Sequence, residues 1–102
     1  MIWYKDLFVG EKASKKKYRM LRKINNRFLT NAYVVTLPAN NNNVLDIYSY
    51  NELLQKHYRD RDIYILGLAC GKDEALDIVQ KIVLDTYINT GTFKVADYLG
   101  IK

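Results

Sequence analysis

Cysteine, histidine and proline occur once each in this chain, as Cys70, His57 and Pro38. A single cysteine excludes an intramolecular disulfide, and one cysteine with one histidine is too few for a structural zinc site. No other metal-ligand spacing is present, so neither a metal nor a cofactor is expected. Long apolar runs are also missing. The longest, Ile63 to Cys70, has eight residues, against the roughly 20 needed to cross a bilayer. Residues 1–6 hold no basic stretch followed by an apolar region, so no signal peptide is expected. A soluble, cytoplasmic protein without membrane contact is the expectation. Paired carboxylates suited to acid–base work are absent too. Asp73, Glu74 and Asp77 crowd the start of one helix, where the helix dipole favours anions. Gly67-Leu-Ala-Cys-Gly71-Lys72 lies at a strand-to-helix turn, yet it is one residue short of a phosphate loop. Asp73 stands where that loop needs a hydroxyl and would repel phosphate, so the glycines read as a tight turn.

What is there describes a folding chain. Of 102 residues, 49% are hydrophobic, enough for one modest core and a single α/β domain over residues 1–102. Residues 2–9 are aromatic and β-branched up to Gly10, a strand signal. Residues 12–27 place Met20, Leu21 and Ile24 at helical spacing, with Ala13 before and Phe28 after. Residues 32–37 read as a second strand, stopped by Pro38. Asn40 to Asn43 form a turn, and residues 44–48 alternate as a third strand. Ser49 and Glu52 have the spacing of a capping box, which opens a short helix over 50–58 that buries Leu53 and Leu54. Residues 62–69 are apolar on both faces, the mark of a central strand. The longest helix is expected over 72–90. Its core face is read as Ala75, Leu76, Val79, Ile82, Val83 and Tyr87, with Gly91 as its cap. A short helix over 94–99 ends the chain.

The order β-α-β-β-α-β-α is that of a small two-layer α+β fold. It fits the split βαβ, or ferredoxin-like, arrangement: a four-stranded sheet with helices on one face. An open α/β sheet is the alternative.

The charge is uneven. The net charge is +5, but residues 11–28 alone carry +7, residues 1–10 carry 0 and residues 29–102 carry −2. Lys15, Lys16, Lys17, Arg19, Arg22, Lys23 and Arg27 read first as a solvated helix face, and in the functional alternative as a surface for nucleic acid or an acidic protein partner. In that alternative Tyr18 is the candidate to stack on a base. Lys, Ile, Asn and Tyr make up 38 of the residues. All four have AT-rich codons, so an AT-rich, bacterial genome explains part of the lysine content. It does not explain why the excess falls in one segment.

Cys70, just before a helix N-terminus, is a possible nucleophile. His57 is the only candidate base, and nothing in the sequence brings the two together; a small buried thiol is the simpler reading. His57 itself reads as a surface residue near a helix end. Val95 to Ile101 resembles the first helix and turn of a helix-turn-helix, as in excisionase-like DNA binders. The second helix, which enters the groove in that motif, does not follow. The segment therefore reads as an amphipathic helix docking Val95, Tyr98 and Leu99.

The segments Tyr33-Val-Val-Thr-Leu-Pro38, Leu45–Ile47 with Asn51–Lys56, and Tyr64–Ala69 followed by Asp73–Leu76 resemble a group of short bacterial proteins of low-GC Gram-positive anaerobes. That resemblance implies a source and carries no activity, cofactor or site. The functional expectation is therefore a non-catalytic binding or regulatory domain acting through protein contacts, as a homodimer or with another protein. Nucleic-acid binding through residues 12–27 is the alternative, and an enzyme using Cys70 is the third reading.

Overall fold

A computed structural model describes residues 2–15, 32–38, 43–53 and 63–101. Its elements are β1 (Ile2–Val9), α1 (Glu11–Lys15), β2 (Ala32–Thr36), β3 (Asp46–Ser49), α2 (Tyr50–Leu53), β4 (Tyr64–Cys70), α3 (Lys72–Thr90) and α4 (Val95–Leu99). The result is a small α+β fold on a four-stranded sheet, in the element order read from the sequence. The expected helices over 12–27 and 50–58 are described as far as Lys15 and Leu53. The rest of each, with Asn40–Asn42 of the expected turn, lies outside the described residues.

The sheet order is β1-β4-β2-β3. Strand β4 pairs parallel with β1 and antiparallel with β2, and β2 and β3 form an antiparallel hairpin. The strand apolar on both faces is thus an inner strand, as its pattern requires. Two details depart from the split βαβ arrangement. First, β1 runs antiparallel to β2, with β4 between them, so the sheet is mixed. Second, helices cover both faces instead of one. Ala13 of α1 with Tyr50 and Leu53 of α2 packs on Ala32, Val34, Ile65 and Leu68. Ala75, Ile78 and Ile82 of α3 with Val95 of α4 packs on Val35, Leu66 and Ala69. The cause is visible in the strands. Val34 and Val35 are sequence neighbours with no exposed surface, as are Ile65 and Leu66. Neighbouring strand residues point to opposite faces, so one layer of helices would leave half of them in water.

A bulge in β4 completes this two-sided core. Val35 pairs with Gly67 and Thr36 with Ile65, so Leu66 is the extra residue. The bulge shifts the alternation by one, which returns Leu68 to the core that holds Ile65. A Cβ at Gly67 would meet Ile78 Cγ2 at 2.9 Å and the Phe8 carbonyl oxygen at 3.2 Å. Glycine at this position lets α3 and β1 approach β4 closely.

The caps follow sequence chemistry. The Glu52 N–H donates to Ser49 Oγ at 3.2 Å, opening α2. Gly91 closes α3 in the left-handed region (φ 72°), and its N–H donates to the Tyr87 carbonyl. Such a conformation is nearly free of strain only for glycine.

Candidate interaction surface

Helix α3 carries more apolar residues than one buried stripe can hold. The stripe that faces the sheet is Ala75, Ile78, Ile82 and Thr86. This corrects the core face expected from the sequence: Leu76 and Tyr87 are exposed and Val79 and Val83 only partly buried. The outer stripe is led by Ile88, Leu84 and Tyr87, which are 68%, 58% and 51% exposed. Beyond the Gly91 cap the chain turns back, and Phe93 stacks on Tyr87 with ring centroids 5.2 Å apart and planes at 17°. The stacked pair forms one wall of a shallow, open hollow of about 490 Å³, which runs along Val79, Val83 and Leu84. Phe93 also borders a second hollow of about 770 Å³, against Leu37, Pro38, Val44 and Val95. The apolar surface therefore continues from the middle of α3 to the end of the β2–β3 hairpin. Large contiguous apolar patches of this kind mark contact sites.

One edge of the outer stripe is charged. Asp77, Lys81 and Asp85 follow one another at four-residue intervals and are all exposed, so they form a row of alternating sign along the helix.

At the other end of α3, Glu74 does work that its place in an acidic helix start did not reveal. Its Oε2 accepts the Lys12 N–H at 2.7 Å, and its Oε1 accepts the N–H groups of Ala13 and Cys70, each at 3.0 Å. A carboxylate from one helix thus caps the N-terminus of another and ties both to the end of β4. Burial alone would raise the Glu74 pKa. The three backbone donors and the nearby Lys12 charge outweigh it, and the net direction is down. A carboxylate held this way is a weak base, so its role is structural. A Cβ at Gly10 would overlap that carboxylate, which explains the glycine at the end of β1. Nothing in the sequence spacing links Gly10, Lys12 and Glu74, because the contact is made only once the fold brings the N-terminal ends of α1 and α3 together at the end of β4.

The residues singled out from the sequence are distributed as follows. Lys15 is exposed at the end of α1. Lys16, Lys17, Arg19, Arg22, Lys23, Arg27 and His57 lie outside the described residues. Cys70 is a free, half-buried thiol that packs against the core cluster holding Ala13 and Leu68. The Gly67–Lys72 segment holds no phosphate loop. Gly67 to Cys70 are strand, and only Gly71, at φ 96°, makes the turn into α3. Among the described residues no group of three or more His, Cys, Asp or Glu side chains could hold a metal. No described helix is long and apolar enough to cross a membrane.

Comparison with family models, with curated proteins and with solved structures found no match.

Proposed function

We propose that the chain is a non-catalytic binding domain that acts through protein contacts made by the outer face of α3 and Phe93. The observation that carries this reading is the exposed apolar stripe of Leu84, Tyr87 and Ile88, continued by Phe93, on a helix that already buries a separate stripe against the sheet. The cost of leaving these side chains in water, about 25 cal/mol per Å², is recovered when a partner covers them. Aromatic residues such as Tyr87 and Phe93 are enriched among interface hot spots and cores. An unpaired cysteine is in keeping with a reducing, cytoplasmic setting.

The test is a photo-crosslinking side chain at position 84 in intact cells that make the full chain. Discrete adducts of defined mass are expected there, and none from the same probe at the exposed Lys5 on β1. Absence of any adduct at position 84 contradicts the reading.

A second reading has its own support in the charge of residues 11–28, which exceeds that of the whole chain. Binding to mixed RNA or DNA through Lys15, Lys16, Lys17, Arg19, Arg22, Lys23 and Arg27 would weaken steeply with salt. The triple change Lys16→Glu, Lys23→Glu and Arg27→Glu would abolish it without unfolding the domain. No binding at low salt removes this reading.

A further inference from the structure

We propose that Thr90 and Thr92 are positioning residues of this surface: their hydroxyls hold Phe93 against Tyr87 as a preformed aromatic anchor. The inference rests on the protein-contact reading above and names the residues that set the shape of its anchor.

Phe93 lies in the short loop beyond the Gly91 cap and is about half exposed. A large side chain on a free loop must be ordered when it binds, at a cost in affinity. Here the backbone is pinned on both sides of it. The Thr92 N–H donates to Thr90 Oγ1 at 3.1 Å, and the Lys94 N–H donates to Thr92 Oγ1 at 3.3 Å. The Phe93 carbonyl itself accepts the N–H of the buried Val95 at 2.9 Å.

The distances assign the protons. A threonine hydroxyl has one proton to donate and two lone pairs. Thr90 Oγ1 lies 2.6 Å from the Thr86 carbonyl oxygen and 3.4 Å from that of Thr92, so its proton goes to Thr86. The two hydroxyl oxygens are 3.0 Å apart. Thr92 is then the donor of that pair, and Thr90 Oγ1 accepts both its O–H and its N–H. The bonds run in one direction, from Lys94 through Thr92 and Thr90 to Thr86, and bonds in such a chain reinforce one another. Thr86 has no exposed surface and lies on the stripe that faces the sheet, so the loop is tied to a fixed part of the helix. Tyr87 is the next residue, and Phe93 stacks on it at 5.2 Å. One network therefore sets the separation of the two rings. A partner meets an aromatic wall that is already in place.

The experiment compares Thr90→Val with Thr90→Ser in the full chain. Valine keeps the shape and loses the oxygen, whereas serine keeps the oxygen. The ring-proton NMR shifts of Tyr87 and Phe93 report the stack. The adduct yield from a photo-crosslinking side chain at position 84 in intact cells reports the contact. Thr90→Val should move both sets of ring shifts toward free-ring values. It should also cut the adduct yield roughly tenfold, the effect of having to order one loop residue on binding. Thr90→Ser should match wild type in both measurements. Circular dichroism should show each variant folded. Thr92→Val, which leaves the Thr92 N–H on Thr90, should change the ring shifts less than Thr90→Val does, and it decides the question if Thr90→Val does not fold. Ring shifts unchanged in both valine variants overturn the proposal. So does a loss of stacking as large in Thr90→Ser, or a full adduct yield from Thr90→Val. No adduct from the chain with both threonines intact overturns the contact reading instead, and the ring shifts still decide what the threonines do.

Discussion

Replacing Glu74 by alanine should loosen the junction of α1, β4 and α3 more than its half-exposed position suggests. Three backbone N–H groups lose their acceptor. The Lys12 group is exposed and water takes the carboxylate's place. Those of Ala13 and Cys70 are partly buried, and each costs about 1–1.5 kcal/mol when left unsatisfied. The expected loss is therefore about 2–3 kcal/mol. For a domain near this length each kcal/mol moves Tm by about 4–8 °C, so the melt should fall by roughly 10–20 °C. Glu74→Gln separates charge from hydrogen bonding. A single oxygen, Oε1, accepts from both Ala13 and Cys70, and a glutamine keeps that oxygen. Its amide instead faces the Lys12 N–H, donor against donor, so the loss should be near 1 kcal/mol. The pH dependence has a definite sign. The folded-state pKa lies below the ordinary value of 4.5, so the carboxylate's contribution is complete above that value. It is lost as pH falls through the folded value. The gap in Tm between wild type and Glu74→Gln should accordingly close in acid. Thermal melts by circular dichroism from neutral pH down to about pH 3 measure all of this. A Glu74→Ala melt within about 2 °C of wild type, or a gap indifferent to pH, would refute the junction described above.

Three further outcomes are expected. Gly10→Ala should destabilise the fold because its Cβ overlaps Glu74, and the cost should shrink when Glu74→Ala is also present; additive effects in this double-mutant cycle would show that the two do not meet. Ile82→Ala should cost about 2–5 kcal/mol as a core cavity, whereas Leu84→Ala two positions on should cost under about 0.5 kcal/mol in dilute protein; urea unfolding that reverses this ranking would mean the core face has been misassigned. Tyr50 is buried, and desolvation raises its pKa above 10.0, so its contribution is complete below pH 10 and lost as pH rises through the folded value; Tyr50→Phe should blunt that alkaline loss in a pH titration followed by fluorescence.

Strand and helix order was legible in the sequence because each element carries its own local signal. Ser49 with Glu52, Gly91 after Thr90 and the apolar run around Ile65 each act within a few residues. Sheet order was not, since β1 pairs with β4 some sixty residues away and no local signal names that partner. The two-sided core was written in the neighbours Val34–Val35 and Ile65–Leu66. It conflicts with helices on one face, and the split βαβ analogy ignored it. The outer stripe of α3 was misread for a related reason. An apolar helix with both Ile82 and Val83, and both Tyr87 and Ile88, exceeds a single stripe of about 100°, and periodicity alone cannot say which side meets the sheet. Glu74 shows the opposite limit. Its acidic helix start predicted a favourable local dipole, while its contacts reach Lys12 and Ala13, more than sixty residues back along the chain.

The central claim is that the outer face of α3 is a contact surface. A photo-crosslinking side chain placed in turn at positions 84 and 88 in intact cells tests it most directly, with the exposed Lys5 on β1 as the control. Adducts of one defined mass should form from both positions on α3 and none from position 5. Adducts from neither position 84 nor position 88, or equal yields from position 5, would contradict it.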